Sequence, residues 1–230
     1  MRDFLIENGK NIILGIMWAE VLIFLLLLKN IIKNKQMTTL MMLIICGGLV
    51  FDAYVMAFSR KIDFELLQSF SRARFIIHGL IIPLNFALCG YVLNWTKNKK
   101  AVMWLAVVII MAGGAYAGYS KVLEMKHFAG ILRYVSAERS PEWADRISSV
   151  VSMVSTVTVT VSGILVWKVQ KSPAIFCAGF FMLVFSVIPP VTGNTDLMFM
   201  ISMFGEVLMV FFYWLYSIRH VETVEEEFYY

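Results

Sequence analysis

The sequence predicts an all-α polytopic integral membrane protein: a seven-transmembrane-helix bundle with its N-terminus outside and its C-terminus in the cytoplasm. Three observations carry that expectation. Of 230 residues, 60% are hydrophobic and only 16% charged, against roughly half and a quarter in soluble globular domains. The apolar residues gather in runs near the ~20 residues that a helix needs to cross ~30 Å of hydrocarbon. The lysines stand in short loops beside those runs, where they set orientation.

The spans follow in order, at roughly 11 to 32, 37 to 58, 75 to 95, 101 to 120, 149 to 168, 173 to 192 and 197 to 218. Inside lipid every backbone N–H and C=O needs a partner within the segment, so runs of this length read as helices. The N-terminal stretch MRDFLIENGKNIILGIMW lacks the charged, apolar, small-residue order of a cleaved signal, and the first span is expected to be retained. Pro83 should kink the third span, because proline cannot donate and crowds the preceding turn. Ser and Thr crowd the fifth span, while Pro189 and Pro190 mark the end of the sixth. Together the spans fill residues 1–230 as a single domain.

One sizeable connection, 121 to 146, carries Leu123, Phe128, Ile131, Leu132 and Val135 at helical spacing. It predicts a short amphipathic helix on the outer surface. Ser140 and Pro141 read as the cap and first residue of the helix that follows. The acidic tail VETVEEEFYY reads as a solvated end.

Orientation rests on the loops with bases and no acids: Lys29, Lys33 and Lys35; Lys97, Lys99 and Lys100; Lys168 and Lys171. These predict the cytoplasmic side of a prokaryotic cell membrane. The alternate loops mix Arg60, Lys61, Arg133 and Arg139 with Asp63, Glu65, Glu138 and Glu142. A net charge of +4 therefore speaks of topology and not of nucleic acid, for which no basic patch with interleaved aromatics exists. The expected partner is the lipid bilayer.

Several chemistries drop out. Cys46, Cys89 and Cys177 all fall inside spans and show no CxxC spacing, so no disulfide framework, redox motif or metal motif is expected. Residues 197 to 218 contain no lysine for a retinal Schiff base. His78, His127 and His220 fall in three separate places, too scattered to hold one zinc ion. No cofactor is expected.

Ionisable groups inside hydrocarbon are costly, by at least ~2.5 kcal/mol on insertion scales, and by default mark a site. Glu20 in the first span, Asp52 in the second, His78 in the third and Glu206 in the seventh qualify. Arg74, His78 and Asn85 share one face of the third span, starting at its outer end. Asp52 and His78 should lie at one level, within reach of each other, and Arg72 or Arg74 could neutralise Asp52 or meet an anionic group. Arg72, Thr192 and Asn194 are expected at the outer rim.

The faces so defined predict a polar cavity accessible from outside, which binds or transports a small solute, an ion or proton, or a lipid. Carboxyl groups that exchange protons within the membrane are what a proton-coupled carrier needs. An intramembrane lipid-modifying enzyme using Asp52 and His78, or a seven-helix receptor without turnover, are the alternative readings.

Overall fold

The computed structural model describes residues 2–192 and 197–228. Its helices are α1 (Arg2–Asn34), α2 (Met37–Ala57), α3 (Phe64–Ile81), α4 (Leu84–Val92), α5 (Lys97–Ser120), α6 (Glu142–Gln170), α7 (Ala174–Thr192) and α8 (Met198–Phe228). Helices α3 and α4 form one column broken at Pro83. There the Asn85 and Phe86 N–H groups reach back only three residues, to Ile82 and Pro83. Six columns are long and apolar enough to cross a membrane, and α7 is a further apolar helix.

The columns pack in chain order around a ring that α8 closes against α1. Contacts fix their directions. Gly9 abuts Met200, while Asn30 bonds Ser217, so α1 and α8 run parallel and the described ends of the chain lie at opposite ends of the bundle. Between them direction alternates: Cys46 of α2 meets Glu20, Gly79 of α3 meets Gly114 of α5, and Gly179 of α7 meets Thr160 of α6. One end gathers Lys33, Lys35, Lys97 and Lys171 from three connections. The other holds a two-stranded hairpin.

Lipid tails are as apolar as leucine, so helices in a membrane associate through close packing where side chains are small. Any side chain on Gly79 would strike the Gly114 backbone, and one on Gly118 would strike Phe75. Gly163 lies equally close to Phe176. Outward faces are correspondingly greasy: Val102, Leu105 and Ile109 of α5 are 69%, 65% and 64% exposed. Such a belt suits a bilayer and is costly in water.

The connection after α5 departs from the sequence expectation. In place of an amphipathic helix it forms antiparallel strands β1 (Leu123–Phe128) and β2 (Ile131–Ser136), paired from Leu123 with Ser136 to Phe128 with Ile131. Ala129 and Gly130 make the turn, with φ of 51° and 75°. Positive φ at both central residues suits the right-handed twist of a hairpin. Only Leu123 and Ile131 of that pattern are buried, and in the strands the five residues alternate between faces, so the helical spacing is a coincidence.

Two further expectations shift. Ser140 does not cap α6: its hydroxyl bonds the Val122 N–H and C=O, both at 3.0 Å, and so ties the base of the hairpin. Pro141 stands just before the helix instead of within it. Helix α3 begins at Phe64, about ten residues before the predicted span, so Arg72 and Arg74 lie within a helix and not at its mouth.

Candidate functional site

The interior of the bundle is layered. Towards the hairpin, Leu5, Ile13, Met17, Ala53, Met56 and Met200 pack beneath Ala129 and Ile131. Towards the lysine-rich end, Leu27, Met42, Ile45, Leu88 and Val210 belong to a second apolar cluster. Three helices cross both clusters, and on each an acid occupies the gap. Glu20 lies between Met17 and Ile23 on α1, Asp52 between Leu49 and Ala53 on α2, and Glu206 between Met203 and Met209 on α8. The three carboxyl groups therefore share one level.

Their surroundings differ. Asp52 is ion-paired with the Arg74 guanidinium of α3, with the arginine and aspartate side chains 12% and 17% exposed. Burying such a pair is tolerable because each charge satisfies the other. Glu20 is fully buried, and neither carboxylate oxygen has a hydrogen-bond partner among the described residues. Glu206 is buried, and no ion pair among the described residues engages it. Glu20 lies within electrostatic reach of Asp52 and Glu206, and Glu206 within reach of Asp52 and Arg74. With three carboxyl groups to one guanidinium, the layer can take up positive charge, as protons or as part of a ligand.

Beside this layer, between α3, α5, α6, α7 and α8, lies a cavity of about 580 Å³. Glu206, His78 and Lys121 supply its ionisable lining, with hydroxyls from Ser152, Thr156 and Ser202. Most of the remaining wall is apolar, as in Phe75, Ile82, Met182 and Leu183. His78 is within electrostatic reach of Asp52, Arg74 and Lys121. A volume of this size suits a small organic ligand, held by a few polar groups in a mainly apolar pocket.

Of the sequence candidates, Asp52, Arg74, Glu20 and Glu206 meet in the layer, with His78 on the adjoining cavity wall. Asp52 pairs with Arg74, and no hydrogen bond among the described residues joins it to His78. Asn85 lies deeper, accepting a 2.7 Å hydrogen bond from the Tyr213 hydroxyl. Arg72 binds the Tyr119 carbonyl at 2.6 Å and the Lys121 carbonyl, closing the end of α5 and standing apart from the cavity. Thr192 ends α7, and Asn194 lies outside the described residues. The serines and threonines of α6 largely bond their own helix, as Thr156 does to the Ser152 carbonyl at 2.9 Å. Ser155 is different, reaching the Ile82 carbonyl of the α3–α4 break at 3.3 Å.

Sequence reasoning missed Lys121. Its ammonium lies 3.0 Å from Asp145 and 5.0 Å from the centre of the Phe75 ring. Standing at the end of an apolar run, it read as a loop lysine. Only its partner in the next helix brings it inward.

The sequence matches no model of a known protein family, and no curated protein matches it.

Proposed function

We propose that this chain is a seven-span membrane protein, oriented with its lysine-rich end in the cytoplasm, that binds a small ligand in the cavity beside the acid layer. Glu206 is the anionic anchor, His78 a hydrogen-bonding and proton-accepting neighbour, and the Asp52–Arg74 pair a fixed dipole behind them. The observation that carries this reading is the coincidence of one acid from each of three helices at a single level, beside a cavity that receives one of them. Packing alone has no use for Glu206, since a methionine or leucine there would continue the apolar clusters on either side.

Orientation draws support from lysines gathered at one end. Exposed Trp95 and Trp167 near that end, and the stacked Tyr116 and Trp143 pair near the other, suit two interfaces. Below the acids the interior is filled, by the apolar Met42, Leu88 and Val210 and by the buried Asn85–Tyr213 pair. Transport would require that plug to part, whereas a receptor could keep it closed. The closed plug favours the receptor as a second reading. The enzyme reading loses ground because Asp52, its expected acid, is already engaged by Arg74.

The experiment is reconstitution into liposomes with a pH-sensitive dye inside, comparing wild type with Asp52→Asn and Glu206→Gln. A proton flux in wild type that both variants reduce by about tenfold or more supports a carrier. Ligand binding that depends on Glu206, with no flux, supports a receptor. Binding and flux unaffected by Glu206→Gln would overturn the reading.

A further inference from the structure

Above the acid layer the hairpin end is packed: Ala129 abuts Gly9, Ile131 is 1% exposed, and the Arg133 guanidinium lies 3.6 Å from the centre of the Phe199 ring. The exposed part of the cavity's lining lies on α6, α7 and the start of α8: Ser149, Met153 at 63%, Val187 at 43% and Met198 at 42%. The seam between α6 and α7 explains the gap. Glycines at 163 and 179 bring the two backbones into contact in the lysine-side half, against Phe176 and Thr160. Beyond Thr160 no glycine draws α6 to α7, and the walls part around Thr156, Met182 and Leu183.

A mouth on the lateral surface of a bundle with a greasy exterior faces lipid tails. A ligand using it must be at home there, so it carries an apolar body. Its head must suit the inner end, where the cations are already matched. Arg74 is paired with Asp52 and Lys121 with Asp145, while Glu206 has no ion-pair partner among the described residues. A head that met only Arg74 or Lys121 would have to displace a carboxylate first.

We infer that the cavity admits, through the lateral gap between α6 and α7, a membrane-dissolved amphiphile with a cationic nitrogen head, which Glu206 receives. Its chain lies against Met153, Met182 and Val187. This rests on the ligand-binding reading above, and it adds the ligand class and the route.

The test uses the full chain in lipid nanodiscs and a dodecylamine derivative bearing a diazirine on its chain, with labelled residues located by mass spectrometry. Dodecylamine, dodecanol, dodecyl sulfate and tetramethylammonium serve as competitors. The inference expects labels on α6 and α7 around Met153 and Val187. It expects competition by dodecylamine at concentrations about tenfold lower than by dodecanol or dodecyl sulfate, and labelling reduced about tenfold in Glu206→Gln. Met153→Trp, on the exposed rim, should fill the gap and reduce labelling while leaving the melting temperature near wild type. If dodecyl sulfate or dodecanol competes as well as the amine, and Glu206→Gln labels normally, the cationic head is wrong and the cavity stands. If tetramethylammonium competes as well as dodecylamine and Met153→Trp labels normally, the lateral route is wrong. Labels confined to the outer surface, with none in the cavity, would overturn both this inference and the binding reading beneath it.

Discussion

The two halves of the bundle treat buried polarity in opposite ways. Towards the lysine-rich end the polar groups are largely neutral and matched. Tyr213 donates to Asn85 at 2.7 Å, the Gln170 amide donates to the Val92 carbonyl at 2.8 Å, and Asn30 donates to Ser217 at 2.8 Å. Two turns up α8, about 10 Å from Tyr213, stands Glu206. There the groups are ionisable: Asp52 is paired with Arg74 and Lys121 with Asp145, while among the described residues no ion pair engages Glu20 or Glu206. A membrane interior punishes both kinds of group, so each half must offset the cost. Internal hydrogen bonds do so below; above, the Glu20 carboxylate has no hydrogen-bond partner and Glu206 no ion-pair partner among the described residues. The difference separates polar residues that hold the bundle together from those that the proposed function assigns to a ligand.

Breaking the matched charge should cost most. Arg74→Leu leaves Asp52 buried without its counter-charge and is expected to lower stability by about 3–5 kcal/mol, as removal of one partner of a buried pair does. Replacing both, as Asp52→Asn with Arg74→Leu, should recover most of the loss in thermal unfolding of the reconstituted protein. If the single variant unfolds like wild type, the pair is not the support described here.

Next in size is the glycine seam. Gly79→Ala thrusts a methyl group into the Gly114 backbone, which cannot move aside, and should cost about 1–3 kcal/mol. Gly113, on the same helix as Gly114, has open space where its side chain would be, so Gly113→Ala should be neutral or stabilising by up to about 1 kcal/mol. Equal effects at the two positions would show that α3 and α5 do not touch as described.

Within the lower half, Tyr213→Phe removes the donor to Asn85. The expected loss is about 0.6–1.7 kcal/mol, the range for interhelical hydrogen bonds in membranes. The smallest effect belongs to the upper half. Glu206→Gln keeps shape and replaces a carboxyl group that no ion pair among the described residues engages, so the variant should be at least as stable as wild type. A large loss there would move Glu206 into the same class as Asn85 and Tyr213.

Much of this arrangement is legible in the sequence, because hydrocarbon makes ionisable residues conspicuous. Glu20, Asp52, His78 and Glu206 stand out from apolar runs without any knowledge of the fold, and Pro83 marks its break. Pairing is harder to read. Arg74 and His78 lie on the same face of α3, and sequence spacing alone does not decide which of them Asp52 meets; the depth and rotation of α2 against α3 do. The hairpin was hidden because Leu123, Phe128 and Ile131 satisfy helical spacing by accident, whereas the Ala129–Gly130 turn is a weaker signal than Asn-Gly. The lateral gap was invisible for another reason. It depends on where Gly163 and Gly179 meet a neighbour, and a glycine in a sequence does not announce what lies across from it.

The central claim is that Glu206 is kept for a ligand and Tyr213 for the fold. Thermal unfolding in nanodiscs, titrated with dodecylamine, tests it in one experiment, since a ligand that binds only the folded state raises the midpoint as its concentration rises. The midpoint should climb for wild type and for Tyr213→Phe, from a lower start in the latter, and stay flat for Glu206→Gln. A Glu206→Gln midpoint that climbs in parallel with wild type would contradict the claim.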